Sequence, residues 1–199
     1  MTKKIKDHFK KNDPILFSYI EKIELSELKP VEDLFSDLCE SIICQQLSDK
    51  AGSTIFGRFK KLFPQEKITT DKLLKLSKEK IRSCGTSYSK IKALKDLAFK
   101  IKKKELNLKD LRNSSNEKVI KELIKVWGIG QWTAEMFLMF ALGREDIFSH
   151  GDLGLRNAII KIYNLKESSS KEKIEKIVEK WIPYRTYACR ILWKSLSIK

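Results

Sequence analysis

Apolar residues recur along this chain every three or four positions, the spacing that lays one stripe along an α-helix, and no stretch alternates convincingly with period two. Asp13-Pro14 reads as a helix start, because aspartate caps well and proline suits the first helical position. Ile15, Leu16, Tyr19, Ile20 and Ile23 then form one stripe. A second helix is predicted over about 31–46, with Val31, Leu34, Phe35, Leu38, Ile42 and Ile43 inward. A third runs from Asp49 to Phe63 and stops at Pro64. Short helices fill 70–83, and a long basic helix follows, turning Ile91, Leu94, Leu97, Ala98 and Ile101 inward and lysines outward. Asn116 is the expected cap of the next helix, which carries Val119, Ile120, Leu123 and Ile124. After a tight turn come helices from Gln131 to Leu142 and near 152–163, 171–181 and 184–197. The predicted fold class is all-α, without internal repeats, and the serines between Lys166 and Lys173 mark a surface loop.

Composition adds a partner. The 199 residues suit one compact domain or two small lobes, and a hydrophobic fraction of 42% supports a real core. Lys and Arg number 41 against 26 Asp and Glu, a formal charge of +15 that points to a polyanion, either nucleic acid or an anionic membrane. The membrane option is weak. Asp7 to Asn12 is polar where a signal peptide needs an apolar core, and the most apolar stretch, Val126 to Gly143, holds two early glycines and Glu135. A cytoplasmic protein is expected. Cys39, Cys44, Cys84 and Cys189 form no CxxC pair and read as reduced structural thiols. With only His8 and His150 beside them, a zinc site is not expected.

The segment Leu123 to Ala134 is an apolar helix end, the turn Trp127-Gly128-Ile129-Gly130, and a new apolar helix. Glycines let the backbone take positive φ and approach a ligand closely, and the following helix start offers N–H groups to an anion. Such a hairpin grips DNA phosphate without reading sequence. About twenty residues later stands Asp152, in His150-Gly151-Asp152-Leu153-Gly154-Leu155-Arg156. On local pattern alone Asp152 reads as the N-cap of an apolar helix.

Three segments, in order, carry a resemblance. Trp127 to Arg156 is similar to the core of the helix-hairpin-helix DNA glycosylase superfamily, and specifically to the compact microbial relatives of 3-methyladenine DNA glycosylase II. Ser41 to Ser48, with its Gln45-Gln46 pair, and Trp181 to Ala188, continuing to Leu192-Trp193, resemble two further stretches of that family. The resemblance implies a single glycosylase domain over 1–199, with two helical lobes flanking a DNA-binding cleft. One lobe spans about 32–145 and includes the helix-hairpin-helix at about 116–142; the other joins 1–31 to 146–199. It implies excision of alkylated purines from damaged double-stranded DNA by a monomeric enzyme that travels with the nucleoid.

Carried over residue by residue, the resemblance makes Asp152 the catalytic carboxylate, which stabilises positive charge on the sugar as in glycoside hydrolysis. Trp132, Met136, Tyr187 and Trp193 become candidates for the base pocket, since an electron-poor purine stacks well on indole. Gln46 takes the intercalating position, flanked by Gln45 and by Leu47 as the apolar alternative. Gly128, Gly130 and Thr133 become backbone donors to phosphate, with Arg156, Lys125 and the lysines of 90–104 adding attraction. The carbonyls of Ile124, Val126 and Ile129 would hold Na+ or K+; no other cofactor is required. Relatives that also cut the strand use a lysine where this chain has Trp132, and tryptophan forms no imine, so base removal without lyase activity is implied. Relatives with an iron–sulfur cluster use four C-terminal cysteines, and only Cys189 lies there. His150 reads as a solvent-facing loop residue. The alternatives are a non-catalytic DNA-binding protein on the same fold, or a glycosylase for another lesion.

Overall fold

In the computed structural model, which describes residues 1–196, every regular element is helical. The chain forms two compact units, one from Met1–Pro30 together with the chain from Leu142 onward, the other from Val31–Ala141.

The first unit opens with α1 (Lys3–Asn12) and α2 (Pro14–Ile20). The sequence reading missed α1, because only Ile5 and Phe9 are buried on it and two apolar residues do not make a stripe. Asp13 caps α2 as expected, accepting from the Leu16 amide at 3.0 Å. Its other oxygen accepts from Trp181 Nε1 at 2.8 Å and from the Tyr163 hydroxyl. Only 2% of Asp13 is exposed, so a carboxylate that is costly to bury is satisfied on every side and ties three distant segments together.

The second unit holds α3 (Leu34–Cys44), α4 (Asp49–Lys60), α5 (Thr70–Lys75), α6 (Lys78–Arg82), α7 (Tyr88–Lys102), α8 (Leu108–Leu111), α9 (Asn116–Leu123) and α10 (Gln131–Met136). Its core gathers Leu38, Ile42, Phe59, Leu73, Leu94 and Leu123, all fully buried. A Cβ on Gly52 would stand 2.7 Å from Cys44 Sγ, so α3 and α4 pack closely because position 52 has no side chain. Lys95, read as an outward lysine, turns its Nζ onto the Leu73, Leu74 and Leu76 carbonyls at 2.6–2.9 Å and caps the end of α5. Ser115, not Asn116, caps α9 through its hydroxyl, which accepts from the Lys118 amide. The helix expected from Gln131 to Leu142 is α-helical only to Met136 and widens into a π-type turn over Phe137–Ala141.

The chain then returns to the first unit with α11 (Leu153–Ile162), α12 (Lys171–Val178) and α13 (Arg185–Ser195). The last helix was expected to reach 197, a position that lies outside the described residues. None of the described helices is long and apolar enough to cross a membrane.

Asp37, half-buried in the first turn of α3, has its carboxyl pushed up to about 6, by desolvation first and by Glu40 and Asp33 next. The native state therefore holds this proton more tightly than the unfolded chain, whose carboxyl titrates near ~4, and stability falls as pH rises between those values. Asp37→Asn is expected to raise the urea midpoint at about pH 8 and leave it unchanged below about pH 4. Equal midpoint shifts at both pH values would remove Asp37 as the source.

Candidate functional site

The residues singled out by sequence fall into both units. In the first, Asp152 caps α11: its Oδ1 accepts from the Leu155 amide at 2.8 Å. The same oxygen accepts from Trp193 Nε1 on α13 at 3.2 Å. Two N–H donors hold one carboxylate oxygen and fix its orientation. Gly154, which sequence reasoning passed over, makes this possible. A Cβ there would lie 3.0 Å from Asp152 Oδ1 and 3.5 Å from Trp193 Cδ1.

Helix α13 also fixes the chain leading into Asp152. Arg185 grips the Asp146 carboxylate at 2.7 and 3.0 Å, and the Thr186 hydroxyl donates to the Arg144 carbonyl while accepting from the Ile147 amide. The Trp-x-Pro-Tyr-Arg-x-Tyr segment thus orients the loop, and the tryptophan two turns on orients the carboxylate. Tyr187 is buried, with its hydroxyl donating to Glu145 Oε1 at 2.8 Å; burial and that carboxylate push its phenol up to about 12. Arg156 sends Nη2 to the Glu167 and Ser169 carbonyls at 3.0 and 3.3 Å, so it holds the 164–170 loop. A cavity of about 170 Å³ is lined by Asp152, His150, Arg156 and Lys171. His150 is exposed, with Nδ1 3.4 Å from Glu175 Oε2.

In the second unit the hairpin joins α9 to α10. The Ile129 amide donates to the Val126 carbonyl at 3.1 Å, and Gly128 takes φ +83°. Gly130 sits instead at φ −95° as the N-cap of α10, so only one of the two glycines needs positive φ. The first intrahelical bond runs from the Ala134 amide to the Gly130 carbonyl, which directs the amides of 131–133 outward from the helix start. The Trp127 amide donates to Asp96 Oδ2 at 2.7 Å, and Lys92 lies over the Trp127 ring at 4.3 Å. Among the described residues no backbone amide outside the helices donates to the Ile124 or Ile129 carbonyl, and the Val126 carbonyl accepts from the Ile129 amide.

Trp132 is 47% exposed, with half-buried Met136 one turn along the same helix. The turn after α3 separates the two glutamines. Gln45 is half-buried, and its Nε2 donates to the Gly128 carbonyl and Thr133 Oγ1, both at 3.1 Å. Gln46 is exposed at φ +56°, beside exposed Leu47. Lys90 of α7 donates its Nζ to the Ile43 and Gln45 carbonyls at 2.8 Å each. The sequence reading placed this lysine among the outward ones of 90–104 that add attraction to DNA, and the letters offered no signal of this inward role.

Residues 39–184 match the family model described as HhH-GPD superfamily base excision DNA repair protein. DNA-3-methyladenine glycosylase 1 of Schizosaccharomyces pombe is 33% identical over 166 residues, covering 82% of this chain and 73% of that protein. The DNA-3-methyladenine glycosylase of Saccharomyces cerevisiae is 30% identical, covering 96% and 78%. The crystal structure of a DNA-3-methyladenine glycosidase from Bacillus halodurans superposes with a TM-score of 0.85 at 34% identity, over 99% of this chain and 90% of that one. The S. pombe 3-methyladenine DNA glycosylase in complex with abasic DNA superposes with a TM-score of 0.83 at 30% identity, covering 98% and 97%.

The two hairpin glycines make a paired test. A Cβ on Gly128 would meet Ala93 Cβ at 3.0 Å in a left-handed backbone, whereas nothing lies within 4 Å of one on Gly130. Gly128→Ala is expected to cost about 1–3 kcal/mol in denaturant unfolding. Gly130→Ala should cost less than about 1 kcal/mol. Equal losses would mean that backbone conformation does not distinguish the two positions.

Proposed function

The chain belongs to the HhH-GPD superfamily of base excision DNA repair proteins, and we propose that it excises alkylated purines, of the 3-methyladenine and 7-methylguanine type, from double-stranded DNA. It is an N-glycosylase, similar in sequence to proteins named DNA-3-methyladenine glycosylase. The observation that carries the mechanism is the Asp152 carboxylate, held by the Leu155 amide and the Trp193 indole at the start of α11.

The damaged nucleotide leaves the stack, a step that costs least where the base is already weakly paired. Exposed Trp132, backed by Met136, offers an indole face to the electron-poor purine. As the bond from sugar C1′ to the base nitrogen breaks, its electron pair goes to the base and positive charge grows on the sugar. Ionised Asp152 stabilises that charge. Water then adds its oxygen to C1′ and gives up a proton, with Asp152 as the nearby acceptor. N-alkylation has already weakened the bond, so no strong acid is needed at the leaving base.

Trp132 stands where strand-cutting relatives are expected to carry a lysine, which supports base removal without lyase chemistry. The amides of 131–133 and Gly130 suit a DNA phosphate, and the carbonyls of Ile124, Val126 and Ile129 would hold Na+ or K+, adding positive charge beside it. Leu153, 74% exposed directly after Asp152, supplies an apolar contact to the nucleic acid.

Incubation with methylated duplex DNA, followed by chromatography of released bases, is expected to show 3-methyladenine or 7-methylguanine. Asp152→Asn should slow single-turnover release by about 100- to 1,000-fold, with DNA affinity preserved. Near-normal release by the variant would remove Asp152 from the chemistry. No release by the wild-type protein would sink the alkylpurine reading.

A further inference from the structure

Helix α3 ends at Cys44, and the last carbonyls of a helix need donors from outside it. The usual device is a left-handed glycine. Here the left-handed residue is Gln46, at a cost on the order of 1–2 kcal/mol for a residue with a Cβ. Strain of this kind persists where surrounding contacts over-determine it. Two side chains supply those contacts. The Lys90 ammonium donates to the Ile43 carbonyl, still in the helix, and to the Gln45 carbonyl, in the turn. The two N–H bonds of the Gln45 amide go to Gly128 and Thr133, on either side of the hairpin's second glycine.

We propose that Lys90 and Gln45 are positioning residues: Lys90 locks the α3–α4 turn to α7 and Gln45 locks it to the hairpin, so that Gln46 and Leu47 are presented to DNA in a fixed position beside the backbone-gripping turn. Gln45, placed by sequence among the DNA contacts, is then a brace, and Gln46 alone of the pair enters the duplex. Lys90 serves the same end from α7, and burial of its ammonium, which pulls it below the usual lysine range, fits a side chain turned inward rather than toward phosphate. A wedge that fills the space left by an extruded base works only at the right depth, and a misplacement of about 1 Å costs on the order of a hundredfold in rate. The proposal rests on the glycosylase reading given above.

The test uses the full chain and a duplex carrying a stable abasic analogue next to 2-aminopurine, whose fluorescence rises when its neighbour is displaced. Lys90→Met keeps the stem and removes the donor. It is expected to abolish most of the fluorescence gain and to slow single-turnover excision by about 10- to 100-fold, with affinity for undamaged duplex within about twofold. Lys90→Arg, which restores donors, should recover both readouts. A full fluorescence gain in Lys90→Met overturns the proposal. So does a loss of undamaged-duplex affinity with a shallower salt dependence, which would make Lys90 a phosphate contact. Where Lys90→Met does not fold, Gln45→Leu cuts only the tie to the hairpin and carries the same expectations. Wedge insertion into the abasic duplex is read without turnover, so failure of the wild-type protein to release any base counts against the glycosylase reading alone.

Discussion

A helix leaves backbone donors bare at one end and acceptors bare at the other, and a fold built only of short helices has many such ends. In this protein some of the side chains that satisfy them are also residues of the candidate site or tie distant segments together. Asp152 caps α11 and is the carboxylate proposed to react; Asp13 caps α2 and ties Tyr163 and Trp181 to it; Lys90 closes the end of α3. Capping and chemistry therefore share a geometry. The carboxylate cannot rotate away without uncapping the first turn of its own helix, so on the proposed reading the cap preorganises the charge that the transition state needs.

That overlap explains why the local structure of the candidate site was partly readable from sequence. An aspartate before an apolar run announces a helix start, and Gly-x-Gly between two amphipathic stretches announces a hairpin, because both are local chemical necessities. The all-α fold class follows from the same periodicity. What local pattern does not carry is direction. Gln45 and Gln46 are neighbours of one type, and only packing sends one amide into the hairpin and leaves the other exposed. Lys90 and Lys95 sit in a run of lysines with nothing in the letters to mark them, yet both ammonium groups face carbonyls at 2.6–2.9 Å. Likewise the two hairpin glycines are equivalent as letters, but one takes a left-handed turn and the other only an N-cap.

The excess of positive charge must be read with this in mind. A formal +15 describes the far field, which draws the protein toward a polyanion and weakens with salt. Part of that charge is also structural mortar. Arg112 holds the Val31 and Glu32 carbonyls, Arg156 the 164–170 loop, Arg190 Ser26 and Lys194 the Glu24 carbonyl. These groups still contribute to the field, but they are not available to track a phosphate at short range. The hairpin amides proposed to grip phosphate differ from such side chains in that their register is fixed by the fold.

The neutral donor beside Asp152 suits the charge proposed to form there. A lysine or arginine at position 193 would orient the carboxylate equally well, but its positive charge would oppose the cationic sugar that forms as the base departs. An indole N–H is neutral, donates one bond, and accepts none, so it fixes the oxygen while leaving the negative charge whole. Gly154 leaves room beside both groups, since a Cβ there would lie 3.0 Å from Asp152 Oδ1. On the proposed reading, the alkylated base already leaves readily, and a preorganised carboxylate held by neutral donors suits that demand.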